Sequence, residues 1–269
     1  MSPSPLLSLR LSVGYPGKPG VLRDIALEMQ GGEILGLVGQ SGCGKSTLAL
    51  ALLRLLHLKS GRAEGSILWK GRDLMTLPER EMRSLRGREI ALVLQSPMSS
   101  LNPALRIGKQ MEEAWHVHKN GTKLDCREEI LEALKNVSLP ADPGLLKRYP
   151  SQLSVGQAQR VLIAMAALHR PALLIADEAT SALDLITQSE ILQLFRDLSS
   201  RFGMGILYIS HDLLSVATIS NRVAVMNAGE IVECRETPEI FRDPQHPYTQ
   251  QLVRALPVVP QFAMKATAR

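Results

Sequence analysis

One stretch constrains the fold of this chain more than any other: GQSGCGKS, from Gly39 to Ser46. It fits the pattern G-x-x-x-x-G-K-[ST], which requires a strand before it and a helix after it. The preceding EILGLVG is a continuous apolar run, which predicts a buried strand, and the following KSTLALALLRLL predicts a helix. Such a turn surrounds an anion with backbone N–H groups and a positive helix end. We therefore predict a phosphate-binding loop.

The side chains of this loop extend the prediction to ATP with Mg²⁺. Lys45 is predicted to reach the β- and γ-phosphates, and Ser46 to give its hydroxyl to the metal. A glycine-rich turn without a ligand is the alternative. The predicted nucleotide-binding residues of the loop and the helix start are Gly39, Gln40, Ser41, Gly42, Cys43, Gly44, Lys45, Ser46 and Thr47.

A second stretch, LLIADE from Leu173 to Glu178, is an apolar strand that ends in two acids. Asp177 stands where an acid holds Mg²⁺ in phosphate-loop ATPases. Glu178 is predicted to be the general base that orients and deprotonates water for attack on the γ-phosphate. Many strands end in an acid, so the stretch gains its meaning from its place after the phosphate loop.

The remaining pattern predicts an α/β core with a helical insertion. Apolar and polar residues alternate from Leu7 to Val13, so the N-terminal part is predicted to be β-rich, with VGYPGKPG as a loop. Strands then alternate with helices, which indicates a mostly parallel sheet. Helix signals are denser at about 103–167, and four prolines from Pro244 to Pro260 predict a tail without long regular elements.

Composition limits the class of protein. The 269 residues are 45% hydrophobic and 21% charged, as in an ordinary globular protein, and three scattered cysteines predict no disulfide framework and a reducing compartment. The net charge of +5 suits nucleic acid, an anionic membrane face or mere solubility, and no dense cationic block decides between them. The most apolar stretch, Val161 to Ala176, is too short and too interrupted to predict a membrane span.

Further motifs make the chain similar to the nucleotide-binding subunits of ABC transporters over nearly its whole length. Gln95 after IALVLQ matches the Q-loop glutamine, Leu153 to Gln157 match the signature, and Ser181 to Asp184 match the D-loop. His211 after ILYIS matches the switch histidine, and Tyr15 matches the aromatic that stacks on adenine. Because Tyr15 lies in a predicted loop, a purely structural aromatic is its alternative interpretation.

The resemblance implies an ATPase with a P-loop NTPase core, a mostly parallel sheet, an N-terminal antiparallel β subdomain and a helical insertion. It implies one ABC ATPase domain over 1–269, with an ATP-binding core at about 1–95 and 166–240, a helical subdomain at about 96–165 and a C-terminal tail at 241–269. The implied catalytic groups are Lys45, Gln95, Glu178 and His211, and the implied nucleotide contacts outside the loop are Tyr15 and Gln95. The implied magnesium ligands are Ser46, Gln95 and Asp177. The residues implied to face the ATP of a second subunit are Ser154, Val155, Gly156, Gln157 and Asp184.

Three stretches narrow the resemblance to the ATPases of oligopeptide, dipeptide and nickel importers: QSPMSSLNP, RYPSQLS and HPYTQQLVRALP. This implies a docking surface for membrane subunits near Ser96 to Glu113, although SPMSSLNP also suits a plain turn. It further implies two permease subunits, a second ATPase subunit that is identical or different, an indirect partner in an extracytoplasmic solute-binding protein, and a peripheral location on the cytoplasmic face of the plasma membrane. No nucleic-acid partner is expected, and the transported solute stays open.

Two departures from the resembled pattern matter. Many peptide-importer members hold an iron–sulfur cluster near the C-terminus, and Cys234 alone cannot supply the usual thiolates, so we predict no cluster. Val155 stands where the signature has a glycine. Valine is strained there if φ is positive and costs little if the backbone is helical or extended. Ser154 and Gly156 are kept, so we favour a working site of altered affinity over a weakened half-site that a different partner subunit compensates.

Two rival interpretations fit the sequence less well. A non-transport ABC ATPase acting on DNA would need a long coiled-coil insertion between phosphate loop and signature, and no sustained heptads are present there. Ribosome-type members usually carry two such domains in tandem. A free-standing P-loop kinase does not predict Gln95, LSVGQ and His211 in this order.

Overall fold

The computed structural model of the protein describes residues 4–256. Its strands in chain order are β1 (Leu7–Tyr15), β2 (Lys18–Met29), β3 (Ile34–Val38), β4 (Arg62–Trp69), β5 (Arg72–Asp73), β6 (Ile90–Val93), β7 (Leu173–Asp177), β8 (Gly205–Ser210), β9 (Arg222–Asn227) and β10 (Glu230–Glu236). Its α-helices are α1 (Lys45–Leu52), α2 (Glu79–Leu85), α3 (Pro97–Ser100), α4 (Ile107–His116), α5 (Lys123–Asn136), α6 (Pro143–Leu146), α7 (Val155–Ala167), α8 (Leu185–Phe202), α9 (Leu213–Ile219), α10 (Thr237–Arg242) and α11 (Pro247–Arg254). Short 3₁₀ helices cover Leu56–Lys59, Leu74–Thr76 and Pro150–Gln152.

The described residues form two compact units, one of 4–82 with 205–256 and one of 83–204. This division follows compactness alone. The predicted functional boundaries, at about 95, 165 and 240, stay a prediction.

The first unit contains an antiparallel sheet and a group of mostly parallel strands. The antiparallel sheet has the order β2-β1-β4-β5, with Leu7 opposite both Met29 and Trp69. In the other group β3 runs parallel to β8 and to β9, and β9 pairs with β10 in the antiparallel sense. Every residue of β3 and β8 is buried, as expected for parallel strands covered on both faces. The segment EILGLVG is therefore the predicted buried strand.

The second unit places one parallel strand pair among helices. β6 and β7 are in register from Ile90 opposite Leu173 to Val93 opposite Ala176, so their carboxyl ends lie side by side. Helix α7 packs against α3, α5 and β6. The predicted α/β class, with parallel strands, an N-terminal antiparallel β part and a helix-rich middle, is confirmed.

Two local predictions differ from the structure. VGYPGKPG is mostly strand, because Tyr15 ends β1, Lys18 begins β2 and only two residues turn between them. Gly17, at φ 75°, supplies the backbone conformation that this tight turn needs. The predicted loop is thus the end of a hairpin.

The second difference concerns the predicted tail, in which the short helix α11 follows Pro244. Pro247 is the first residue of α11, a position that proline favours because its missing N–H would have no intrahelical acceptor there. Of the other prolines of the predicted tail, Pro244 precedes this helix, and Pro257 and Pro260 lie outside the described residues. Within residues 4–256, no helix combines the length and the apolar character needed to cross a bilayer.

Candidate functional site

The predicted phosphate loop connects β3 to α1 in the first unit. The first N–H groups of a helix have no intrahelical acceptor. The Gly44 N-cap of α1 adds no side-chain hydrogen bond, and the first turn contains no acidic residue. This helix end is therefore electropositive, with donors available for phosphate oxygens. The residues present fit a nucleotide phosphate.

Gly44 shows why the loop needs glycine. Its φ is 114°, a region that L side chains rarely adopt. A Cβ added there would lie 2.4 Å from Cδ2 of Leu22. A side chain at this position would therefore strain the backbone and clash with Leu22.

Lys45 is buried, and its ammonium lies against the loop backbone. Its Nζ donates to the carbonyl oxygens of Gly39 at 2.8 Å and of Gln40 at 3.0 Å. Cys43 also donates its backbone N–H to the Gln40 oxygen at 3.2 Å. Burial raises the pKa of the Cys43 thiol, so at neutral pH this side chain is a neutral thiol. Ser46 is exposed at the start of α1, where its hydroxyl oxygen suits a hard cation such as Mg²⁺.

Tyr15 lies at the end of β1, so its predicted position in a loop is wrong. The reason is the hairpin that continues directly into β2. Its half-buried ring lies against Gly61, where an added Cβ would be 2.6 Å from Cε1 of the tyrosine. The ring borders a groove of about 870 Å³ lined also by Pro16, His57 and Arg62. A planar ligand edge could enter this groove, which fits the predicted adenine contact.

The second unit brings two predicted catalytic residues together. Gln95 follows β6 and Glu178 follows β7, and the parallel register of these strands makes their ends neighbours. Nε2 of Gln95 donates to Oε2 of Glu178 at 3.0 Å and to Oγ of Ser181 at 3.1 Å. Asp177, the last residue of β7, is buried, and its carboxylate is a ligand type that Mg²⁺ accepts.

Glu178 has an unusual backbone. Its φ is 49°, in the left-handed region that costs energy for residues other than glycine. Such strained residues cluster at functional sites. The sequence contains no signal for this conformation.

The signature begins helix α7. Ser154 is the N-cap, and its Oγ accepts the backbone N–H of Gln157 at 3.2 Å, while Gln157 Oε1 accepts the Ser154 N–H at 3.1 Å. This reciprocal capping box fixes the chain at the helix start. The Ser154 hydroxyl can donate one hydrogen bond in addition to the bond that it accepts.

Val155 is the first residue of α7 and does not belong to the described residues with positive φ. Helical backbone accepts valine at small cost, so the question that the sequence left open is answered in favour of an unstrained residue. The side chain is 43% exposed. It therefore offers an apolar surface where the usual signature has none.

Gly156 and the D-loop lie next to each other in the same unit. A Cβ on Gly156 would lie 2.8 Å from Cγ2 of Thr187, so the start of α8 leaves no space for a side chain. Asp184 caps α8 by accepting the N–H groups of Ile186 and Thr187 and the Thr187 hydroxyl. Hydrogen bonds from the Thr187 N–H and hydroxyl lower the pKa of Asp184, which keeps it anionic.

His211 is exposed and stands between the end of β8 and the start of α9. Asp212 caps α9 by accepting the N–H groups of Leu214 and Ser215. The residue after a buried strand is thus held at a fixed helix start.

One contact of the phosphate loop was missed by sequence reasoning. Oη of Tyr248, in the HPYT segment, accepts the backbone N–H of Gln40 at 3.1 Å. In the sequence, this segment indicates only a resemblance to a subfamily motif. The separation of 208 residues leaves no periodicity or spacing that would predict the contact.

The fold and these sites together define a phosphate-loop nucleotide-binding protein, and comparisons with known proteins supply the family. A model described as "ABC transporter" matches residues 22–181. A model described as "Oligopeptide/dipeptide transporter, C-terminal region" matches residues 232–266. The chain belongs to the ABC transporter family, and it is an ABC ATPase that binds nucleotide.

Curated relatives cover most of the chain. It is 42% identical over 246 residues to the oligopeptide transport ATP-binding protein OppD of Bacillus subtilis, spanning 91% of this chain and 69% of the relative. It is 42% identical over 245 residues to the dipeptide transport ATP-binding protein DppD of the same organism, and the match spans 90% of this chain and 73% of that relative. It is 45% identical over 258 residues to the peptidoglycan transport ATP-binding protein YejF of Agrobacterium fabrum, spanning 94% of this chain and about half, 47%, of that relative.

Solved structures agree with the fold. A dimeric ATP-binding cassette, MJ0796, in a post-hydrolysis state with ADP and Pi is 27% identical, with a TM-score of 0.73, and the match covers 86% of this chain and 98% of that one. A cassette of the transporter complex cbiONQ, cbiO1 from Clostridium perfringens, is 24% identical, with a TM-score of 0.77, covering 95% and 97%. The second likeness concerns the fold alone.

Proposed function

We propose that this chain hydrolyses ATP to power the uptake of a peptide or a related small solute through separate membrane subunits. The observation that carries the hydrolytic part is the hydrogen bond between Gln95 and Glu178 at the ends of β6 and β7. A carboxylate fixed beside an amide after a buried strand suits a base that orients and deprotonates a water molecule. Two of the named relatives are oligopeptide and dipeptide transport ATP-binding proteins, the third is a peptidoglycan transport ATP-binding protein, and none of the three is described as a nickel transporter. The comparisons support this proposal rather than a role on DNA or the ribosome.

Each residue has a proposed task. The N–H groups of the loop from Gly39 and the ammonium of Lys45 hold the β- and γ-phosphates. Tyr15 stacks on adenine. Glu178 takes the proton of the attacking water, and Gln95 orients that water or a metal ligand. His211 donates a hydrogen bond to the γ-phosphate as charge develops there.

Magnesium is the proposed metal, and Ser46, Asp177 and Gln95 are its proposed ligands. When bound, Mg²⁺ would neutralise charge on the β- and γ-phosphates. All three side chains offer oxygen atoms, which is the donor type that this cation prefers. Asp177 is buried at a strand end, so its position is well fixed.

A second ATPase subunit is proposed to complete the nucleotide site. The side chain of Leu185 is 83% exposed at the first position of α8, directly after Asp184, and the neighbouring Ile186 is also strongly exposed. Exposed apolar side chains beside the signature mark a surface that another chain covers. Ser154, the Gly156 N–H and Gln157 are therefore proposed to face the ATP of this second subunit, which is identical or different.

The pairing can be tested with matched leucines. Leu185→Asp should abolish the ATP-dependent dimer of a Glu178→Gln chain in light scattering after gel filtration, because it places a charge on the covered surface. Leu124→Asp is the control, since Leu124 is also exposed, at 64%, in the first turn of a helix. Equal dimerisation of both variants would contradict this surface.

Membrane subunits are proposed to dock on the helix-rich unit. A groove of about 720 Å³ lies along α4, α5 and α6. Its apolar floor includes Cys126 and Ile130, and basic residues such as Arg106, Lys109 and Lys147 border it. The groove overlaps the predicted docking surface at Ser96 to Glu113 and suits an amphipathic helix with acidic residues. We place the chain on the cytoplasmic face of the plasma membrane, with a solute-binding protein as an indirect partner and no nucleic acid.

The cargo is tested by copurifying this chain with its two membrane subunits and measuring ATPase in the presence of candidate solutes. Stimulation by dipeptides or oligopeptides supports the proposal. Stimulation by nickel and not by any peptide would contradict the proposal. An active transporter whose ATPase no peptide stimulates would also contradict it.

A further inference from the structure

Helix α11 is attached to β10 by a buried carboxylate. Glu233 on β10 accepts the backbone N–H groups of Gln245 at 3.0 Å and His246 at 3.0 Å, one on each carboxylate oxygen. Its side chain is only 5% exposed. Burial raises the pKa of Glu233, but the two N–H groups and Arg235 outweigh burial, so the net pKa lies below its ordinary value. The anchor is therefore an anion at neutral pH.

The HPYT segment then directs one side chain. His246 is the N-cap of α11, and its Nδ1 accepts the Tyr248 N–H at 3.1 Å. Pro247 fixes φ at the first helical position. These constraints leave Tyr248 little freedom, and the tyrosine is 9% exposed.

Tyr248 holds the phosphate loop at its second residue. Its Oη accepts the Gln40 N–H at 3.1 Å, while the Gln40 carbonyl accepts Nζ of Lys45 at 3.0 Å. The peptide groups around Gln40 are thus bound on one side by the tyrosine and on the other by the lysine predicted to reach the phosphates. Among the described residues, Tyr248 supplies the acceptor for the Gln40 N–H.

We propose that Tyr248 is a positioning residue of the nucleotide site, and that the HPYT helix keeps the phosphate loop in its binding conformation before nucleotide arrives. The proposal rests on the assignment of Gly39 to Ser46 as that loop. Without the hydroxyl, the part-buried Gln40 N–H loses its acceptor on the protein, and the loop relaxes toward water. Nucleotide binding then has to order the loop again, which lowers affinity.

The test is the Kd of the full-length chain for ADP, measured by isothermal titration calorimetry. ADP avoids any contribution from hydrolysis. Tyr248→Phe keeps the ring and removes only the hydroxyl, so we expect the Kd to rise by about threefold to tenfold. Gln251→Ala changes an exposed residue of the same helix and should stay within about twofold. Amide exchange at Gln40 should become faster in Tyr248→Phe without ADP.

The outcomes separate positioning from mere packing. A Tyr248→Phe chain with a lower melting temperature but an unchanged Kd and unchanged exchange at Gln40 would overturn the proposal. If Tyr248→Phe fails to fold, Glu233→Gln releases the same helix and should raise the Kd in the same range, and an unchanged Kd there would also overturn it. Absence of ADP binding by the unmodified chain would instead reject the loop assignment, and the proposal with it.

Discussion

At the scale of single residues, Val155 departs from the usual signature glycine, and only its backbone conformation decides the effect of this difference. Whether Val155 damages its site depends on one backbone torsion, which no pattern in the sequence reports. Its place at the first position of α7 gives it helical backbone, in which β-branched residues are tolerated. Ser154 keeps its capping bonds with Gln157 beside it.

Val155→Gly should therefore change the ATPase rate of the assembled transporter by less than about tenfold, because valine causes little strain in a helical backbone. The measurement is steady-state phosphate release. Ser154→Ala, which removes the capping oxygen and the proposed phosphate donor, should reduce the rate more. A larger rise in Val155→Gly would mean that valine impairs the site.

At the scale of elements, the close approach of α7 and α8 requires a glycine. Ala is the better helix former, so Gly156→Ala should stabilise an isolated helix. In the protein its Cβ would meet Cγ2 of Thr187 at 2.8 Å. The two effects oppose each other, and the packing contact can be isolated by experiment.

A double-mutant cycle on Gly156→Ala and Thr187→Ser should show coupling on the order of 1 kcal/mol in the free energy of unfolding. Serine removes Cγ2 and retains the hydroxyl that donates to Asp184. Urea unfolding of the four proteins measures the coupling. Additive single effects would show that the two helices separate freely.

The anchor between β10 and α11 should depend on pH. The pKa of Glu233 in the folded protein lies below its pKa in the unfolded chain, which is about 4.3. The ionised carboxylate therefore stabilises the fold fully above the unfolded-state pKa, and this stabilisation is lost as the pH falls through the folded-state pKa. Glu233→Gln should lower the melting temperature at pH 7, and the difference should shrink toward pH 4 and below. Glu230→Gln, an exposed neighbour on the same strand, is the control and should change the melting temperature little at either pH. A pH-independent difference for Glu233→Gln would contradict the anchor.

The sequence predicts elements better than their contacts. EILGLVG, LLIAD and GILYIS are recognisable as buried strands because their apolar runs are continuous. Apolar runs do not indicate which residues far apart in the sequence come into contact. The sequence therefore does not predict the contact of Tyr248 with Gln40 or that of Gly156 with Thr187. The start of α11 could have been found from Pro247, since proline at the first helical position is a known start signal.

At the scale of the whole molecule, the proposed catalytic residues come from both units. Lys45 and His211 belong to the first, and Gln95, Asp177 and Glu178 belong to the second. The signature also belongs to the second unit but is proposed to serve the ATP of another subunit. Hydrolysis is therefore proposed to require both Glu178 of this chain and a paired subunit.

The most direct measurement is ATP hydrolysis and ATP binding by Glu178→Gln in the assembled transporter, compared with the unmodified protein. Glutamine keeps the shape and the hydrogen bond with Gln95 but cannot take a proton from water. We predict that turnover falls by at least about a hundredfold while the Kd for ATP stays within about threefold. Turnover preserved within about tenfold would remove Glu178 from its role as the general base and contradict the account.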